Sequence, residues 1–94
     1  MTIFWSSEAR RSLRAIRRYI ARDSEHYAAQ VAGRIIDRVE NAATMPGQGH
    51  PVHEFPEAPL KEVHEYPYRI IYRVSGEILE VVTIVHFRQR LPEP

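Results

Sequence analysis

The chain contains 94 residues, close to the ~100 to 200 residues of a single domain, and its 44% hydrophobic content is enough to build a core and argues against a disordered chain. The absence of cysteine excludes a disulfide framework, a thiolate zinc site and a cysteine nucleophile. The formal net charge of +1 does not by itself indicate a nucleic-acid-binding protein.

The first residues predict a short strand. Ile3, Phe4 and Trp5 are three consecutive apolar residues with no basic run before them. No apolar stretch elsewhere approaches the ~18 residues of a membrane helix. We therefore expect a soluble, cytoplasmic protein without a membrane partner.

An amphipathic helix is predicted after this strand. Ser6 or Ser7 is a suitable N-cap, and Glu8 in the first turn complements the helix dipole. Apolar residues recur at helical spacing on one face, at Ala9, Leu13, Ile16 and Ile20. Six arginines lie off this face and are expected to point outward: Arg10, Arg11, Arg14, Arg17, Arg18 and Arg22.

Charge is distributed unevenly along the chain. Residues 1–24 contain six arginines and two acids, whereas residues 25–67 contain three basic and seven acidic residues. Twelve of the thirteen basic residues are arginine, which favours bidentate contacts with carboxylate or phosphate. An anionic partner is one interpretation of this pattern, and a simple solvated helix face is the alternative.

A second helix and a loop are predicted next. Asp23 and Ser24 interrupt the first helix and cap the second, which Met45 should end because Pro46 disfavours helical geometry in the residue before it. The two helices therefore form a hairpin. Residues 46–59 contain four prolines and two glycines and form a loop. The apolar face of the second helix comprises Ala28, Val31, Ile35, Val39 and Ala42.

Three strands are predicted in the remainder of the chain. The segments LKEVHEY, YRIIYRV and EILEVVTIVHF are rich in β-branched and aromatic residues. No repeat or linker divides the sequence. Residues 1–94 are thus expected to form one α+β domain, in which a helical hairpin packs on one face of a small antiparallel sheet.

The dipeptide Ser75-Gly76 fixes the predicted register of the last two strands. As a two-residue turn, it places Tyr72 opposite Leu79 and Arg69 opposite Val82. One predicted face carries the helices and is nearly all apolar: Tyr68, Ile70, Tyr72, Val74, Leu79, Val81, Thr83, Val85 and Phe87. The other mixes charged and aliphatic residues: Arg69, Ile71, Arg73, Ile78, Glu80, Val82, Ile84 and His86.

This mixed face is interpreted as a free binding surface. The alternative is that Arg69 and Arg73 form ordinary cross-strand salt bridges with Glu80. A register shift of one residue would exchange the two faces.

Candidate chemistry is concentrated near the last two strands. His50, His53 and Glu54 match no established ligand spacing, so we expect neither a metal nor a cofactor. In a metal-free ribonuclease, arginine would hold a phosphate while His86 moves a proton. The predicted register puts Arg69 roughly 13 Å along the strand from His86, which is a long separation for one phosphodiester. The cationic and imidazole groups concerned are Arg69, Arg73, His86, Arg88 and Arg90.

Several segments in this order resemble one family. They are YRIIYRV at 68–74, IVHFR at 84–88, the Trp5-Ser6 opening and the Tyr19-Ile20-Ala21 helix end. Together they are similar to the RelE/ParE superfamily of toxins from bacterial toxin-antitoxin modules, over essentially the whole chain. The resemblance implies a toxin held inactive in a hetero-oligomer by a cognate antitoxin with an acidic, amphipathic tail.

The superfamily has two branches, which differ in target. The resemblance implies either a ParE-like toxin that poisons DNA gyrase or a RelE-like nuclease that cuts mRNA on the ribosome without a metal. Arg69 and His86 match the nuclease pattern, but Phe87 stands where a tyrosine hydroxyl is wanted, and Lys61 is the one cation of the preceding strand. The sequence is therefore more similar to the ParE branch, with the nuclease as the alternative. The residues expected to contact antitoxin or target are Arg10, Arg14, Arg17, Arg18, Arg69, Arg73, Glu80, His86, Arg88 and Arg90.

Overall fold

Two helices pack on one face of a five-stranded sheet, which confirms the predicted α+β class. A computed structural model describes residues 1–91, and the last three residues of the predicted 1–94 domain lie outside the described residues. The helices are α1 (Ser7–Ala21) and α2 (Glu25–Thr44). The strands are β1 (Thr2–Trp5), β2 (His50–Pro51), β3 (Lys61–Glu65), β4 (Tyr68–Ser75) and β5 (Ile78–His86).

Both helices begin at serine caps, as the sequence predicts. The Ser6 hydroxyl accepts a hydrogen bond from the Ala9 backbone N–H at 3.0 Å, and the Ser24 hydroxyl accepts one from Tyr27 at 3.0 Å. Met45 follows the last residue of α2 as its C-cap. The predicted apolar faces both pack into the core, and the six arginines of the first helical segment are exposed.

The sheet has the order β1-β5-β4-β3-β2, in which β1 runs parallel to β5 and all other pairs are antiparallel. The sequence predicted the opening strand but not its parallel pairing. A parallel pair needs a long connection, and here both helices and three strands separate the two partners in the sequence. The core lies between the helices and the sheet and includes Ile35, Ile70, Tyr72, Leu79 and Val81.

The predicted register of the β4–β5 hairpin is wrong. The turn residues are Gly76 and Glu77, and Gly76 has a φ of +59°, which the first position of a type II′ turn requires. Tyr72 therefore pairs with Val81. Next to this pair a β-bulge leaves Val82 without an opposing residue on β4.

The bulge exchanges the faces of the last part of β5. Ile84 and His86 lie on the helix-packed side, whereas Thr83 and Val85 lie on the opposite side, the reverse of the prediction for all four residues. Because the turn lies one residue later than predicted, each cross-strand pairing shifts by two residues, which leaves every side chain on its predicted side of the sheet. The single extra residue at the bulge then reverses the side for the rest of β5.

The sheet face opposite the helices, termed the outer face, carries Glu62, Arg69, Ile71, Thr83 and Val85. The prediction that this face is free is also wrong, because the chain itself covers part of it. The proline-rich loop 52–60 folds back and bonds to β4 through its Glu54 side chain, and Leu91 bonds to the same carboxylate.

Candidate functional site

Arg69 lies in a buried ionic cluster on the outer face. Only 3% of the residue is exposed. Its Nη2 donates to Glu54 Oε1 at 2.7 Å and to Glu62 Oε2 at 2.6 Å, while Nε donates to Glu62 Oε2 at 3.0 Å and Nη1 to Glu54 Oε2 at 2.9 Å. The guanidinium that the sequence marks as a phosphate ligand is therefore bound by two carboxylates.

The cluster is ionised near neutral pH. The hydrogen bond from Arg69 lowers the pKa of Glu54 to about 2, although burial acts in the opposite direction. Burial would raise the pKa of Glu62, but hydrogen bonds from Arg69 and His64 outweigh it and the net pKa is lowered. The hydrogen bond to Glu54 raises the pKa of Arg69 further above its ordinary value.

The same cluster joins four separate segments of the chain. Glu54 belongs to the loop, Glu62 to β3 and Arg69 to β4. The second Glu54 oxygen also accepts a hydrogen bond from the backbone N–H of Leu91 at 3.1 Å. Sequence reasoning considered Glu54 only as a metal ligand, because nothing local to the loop shows that it meets an arginine 15 residues away.

His86 lies on the other side of the sheet from Arg69. It pairs with Tyr68, whereas Arg69 pairs with Val85, and successive strand residues point to opposite faces. The His86 Nδ1 atom accepts a hydrogen bond from the backbone N–H of Arg88 at 3.0 Å. The structure therefore does not bring together the two residues that the sequence suggested for nuclease chemistry.

Arg73 and Glu80 form an ordinary cross-strand pair. Arg73 Nε donates to Glu80 Oε1 at 2.7 Å, and the two side chains are 53% and 24% exposed. This is the salt-bridge alternative that the sequence left open for Arg73. Arg69 does not take part in it, because its partners are Glu54 and Glu62.

The outward side of α1 carries a row of exposed cations, termed the arginine face and formed by Arg10, Arg14, Arg17 and Arg18. None of the four forms a salt bridge within residues 1–91. Arg88 and Arg90 are likewise exposed, beyond the end of β5. Within residues 1–91, the predicted cations other than Arg69 and Arg73 are thus available to an anionic partner.

A groove of about 400 Å³ crosses the outer face beside the ionic cluster. Loop residues Phe55 and Leu60 form one side, and strand residues Ile71 and Val85 lie beneath them. Sequence reasoning missed this groove because the loop that builds it has no periodicity. Its remaining lining residues include Val82, Thr83 and Leu91, with Glu8 of α1 and Arg73 as its charged residues.

Comparison with known families decides the identity of the fold. Residues 3–91 match the family described as ParE toxin of type II toxin-antitoxin system, parDE. The chain belongs to the ParE toxin family. The recognition of the superfamily and of its ParE branch from the sequence is thereby confirmed.

The ParE fold is also found in a solved structure described as the chromosomal ParDE TA system from P. aeruginosa. The two chains superpose with a TM-score of 0.73 at 21% sequence identity, over 92% of this chain and 95% of that chain. This likeness establishes a common fold. None of the curated proteins compared with the sequence matches it.

Across residues 1–91, no three metal-ligating side chains come close enough together to hold an ion. Within the same residues, neither helix combines the length and the apolar character that a bilayer span requires.

Proposed function

We propose that this ParE-family chain is a toxin that poisons DNA gyrase and is neutralised by an antitoxin with an acidic, amphipathic tail. The family match over residues 3–91 carries the proposal. Gyrase poisoning is the activity implied by resemblance to the ParE branch. A toxin of this kind acts through a protein interface and needs no catalytic group of its own.

The state of Arg69 supports a non-nuclease toxin. A phosphodiester would have to displace two carboxylates, Glu54 and Glu62, from a guanidinium that is almost completely buried. Breaking such a buried pair leaves uncompensated charge and is strongly unfavourable. His86 would remain on the other side of the sheet. The RelE-like alternative therefore lacks an assembled pair of catalytic groups.

The antitoxin would use two adjacent surfaces. Acidic side chains of its tail would pair with the arginine face, which has no ionic partner of its own in residues 1–91. Apolar side chains on the other side of the tail would occupy the outer-face groove. Glu8, in the first turn of α1, also lines the groove, so that α1 contributes to both surfaces.

A supercoiling assay with purified gyrase tests the proposal. Added chain is expected to stop supercoiling or to accumulate cleaved DNA, and His86→Ala is expected to inhibit as well as the unchanged chain does. Programmed ribosomes treated in parallel should show no codon-specific mRNA cleavage. Normal gyrase turnover at saturating protein would reject the proposal, whereas cleavage that His86→Ala abolishes would establish the nuclease instead.

A further inference from the structure

Four aromatic and imidazole rings follow one another on the molecular surface near the β3–β4 turn. The His50 and His64 rings are stacked with centroids 5.3 Å apart. The His64 ring meets Phe87 at 4.8 Å, and Phe87 meets Tyr66 at 5.5 Å. These four residues, termed the aromatic row, come from β2, β3, the turn after β3 and the segment after β5.

The aromatic row is accessible. Tyr66 is 81% exposed and Phe87 is 41% exposed, and His50 is also exposed. None of the four residues belongs to the hydrophobic core cluster or to the residues packed against it. Single exposed aromatic residues are common, but a contiguous exposed series is typical of a binding surface.

Arg88 and Arg90 follow Phe87 in a segment that backbone hydrogen bonds hold in place. The Phe87 backbone N–H donates to the Pro67 carbonyl at 2.9 Å, and Gln89 N–H donates to the His86 carbonyl at 2.8 Å. These bonds fix the segment that carries Arg88 and Arg90. Within residues 1–91 neither of these arginines has a carboxylate at salt-bridge distance.

The acids around the aromatic row are already neutralised. Glu54 and Glu62 bind Arg69, and the partly buried Glu65 carboxylate lies 3.3 Å from Arg38. Within residues 1–91, the charges next to Phe87 in the sequence that lack an ionic partner are therefore the positive charges of Arg88 and Arg90. An anionic ligand with flat aromatic groups would match both the charge and the rings.

We propose that the aromatic row, together with Arg88 and Arg90, binds single-stranded nucleic acid. Unpaired bases would stack on Tyr66 and Phe87, and the two arginines would contact phosphates. A base-paired strand does not expose the faces of its bases, so a duplex would bind less well. This inference goes beyond the proposed function, because gyrase poisoning through a protein interface does not require it.

Fluorescence anisotropy of the full chain tests this proposal without gyrase. The probes are fluorescein-labelled single strands of about 12 nucleotides, one RNA and one DNA of the same mixed sequence, and the corresponding DNA duplex. At about 50 mM salt, both single strands are expected to bind more tightly than the duplex. The ratio of the RNA to the DNA affinity identifies which strand is preferred.

Substitutions locate the binding surface. Tyr66→Ala is expected to raise the single-strand Kd by about five- to a hundredfold, whereas Tyr66→Trp retains binding. Arg88→Ala should reduce the slope of log K against log salt by about 0.7. The matched controls are Phe4→Ala, an exposed aromatic residue on β1 at the other edge of the sheet, and Arg11→Ala on α1.

The proposal fails under any of three outcomes. These are the absence of binding at low salt, equal affinity for the duplex, and equal losses in Arg88→Ala and Arg11→Ala. Circular dichroism of each variant confirms that a loss of binding does not come from unfolding. None of these outcomes changes the expected result of the supercoiling assay, so the two proposals fail separately.

Discussion

Arg69 illustrates how the surroundings of one residue determine its role. On an open strand it would be a phosphate ligand, but here its guanidinium is bound by Glu54 and Glu62 and is also 3.5 Å from the Gln89 carbonyl. The cluster is buried, and each carboxylate depends on Arg69 for its charge balance. Arg69 is therefore a structural residue in this chain.

Arg69→Ala is expected to destabilise the protein by about 3 to 5 kcal/mol, because it leaves two buried carboxylates without the guanidinium that neutralises them. Arg73→Ala is the matched control and should change stability by less than about 1 kcal/mol, since the Arg73–Glu80 pair is exposed. Urea unfolding followed by circular dichroism measures both. Equal effects of the two substitutions would contradict the structural role of Arg69.

A triple variant separates charge from packing. Replacing the cluster by Arg69→Met, Glu54→Leu and Glu62→Leu removes all three charges together and should recover most of the stability lost in Arg69→Ala. Loss of toxicity in Arg69→Ala alone would reflect unfolding. His86→Ala is therefore the better test for nuclease chemistry.

Gly49 is a second position where a single atom matters. A Cβ added there would collide with the Tyr72 hydroxyl, which is buried and donates a 2.6 Å hydrogen bond to the Pro46 carbonyl. Gly49→Ala is expected to cost about 1 to 3 kcal/mol. Gly33→Ala, in α2 with open space around its Cα, should instead stabilise by up to about 1 kcal/mol. Thermal denaturation of both variants checks that Gly49→Ala lowers stability and Gly33→Ala raises it.

At the scale of elements, Ser6 couples the start of α1 to the bulge in β5. Its hydroxyl accepts from Ala9 N–H and donates to the Val82 carbonyl at 2.7 Å, and its backbone N–H donates to Val81 at 3.0 Å. Val82 is the residue without a partner on β4. One side chain thus caps the helix and supports the irregularity of the strand.

Ser6→Ala is expected to lower the free energy of unfolding by about 1 to 2 kcal/mol, because both the cap and the Val82 contact are lost. Ser7→Ala is the matched control; Ser7 is exposed and is not the N-cap, so its effect should stay within about 0.5 kcal/mol. Denaturant titration measures both. A larger loss in Ser7→Ala would show that the cap is assigned to the wrong serine.

The arginine face of α1 provides a test of the proposed antitoxin binding. Charge reversal with Arg14→Glu and Arg18→Glu is expected to weaken the complex with the proposed antitoxin at least about tenfold and to reduce its dependence on salt. Arg34→Glu, an exposed arginine on α2, is the control. Surface plasmon resonance at two salt concentrations measures the effect. Equal losses for the two helices would point to general electrostatic attraction.

The elements that could be predicted are those set by local sequence. Both serine caps, the end of α2 before Pro46 and the apolar faces of the helices depend on residues within a few positions of one another. The bulge could not be predicted, because aliphatic residues occupy both faces of Val81–Val85. No alternation of apolar and polar residues therefore shows how this part of β5 pairs with β4. The bulge is supported instead by Ser6, 76 residues away in the sequence.

The same limit applies to the site. The exposed arginines of α1 follow from helical periodicity, and the structure leaves them exposed. The partners of Arg69 depend on a loop without periodicity, so the sequence correctly located the residue but not its surroundings. The sheet face that carries His86 was mispredicted because it depends on the bulge.

At the scale of the whole molecule, the ionic cluster makes folding sensitive to acid. The pKa of Glu54 falls from its ordinary 4.5 to about 2 in the folded chain, so its contribution to stability is complete above about pH 4.5. That contribution is lost as the pH falls through about 2. A shift of this size corresponds to on the order of 3 kcal/mol.

Glu54→Gln is therefore expected to flatten the dependence of stability on pH between about 5 and 2 while lowering stability at neutral pH. Glu57→Gln changes an exposed carboxyl of the same loop and serves as the control. Urea unfolding at a series of pH values checks the prediction. Parallel profiles for the unchanged chain and Glu54→Gln would show that the cluster does not control acid unfolding.

The parallel pairing of β1 with β5 has a consequence for synthesis. Thr2 pairs with Ile78, far away in the sequence, and β5 is an interior strand between β1 and β4. The sheet is therefore incomplete until β5 has been made, because β5 joins β1 to the other three strands. Shortened chains that lack β5 are therefore expected to leave β1 without a neighbouring strand.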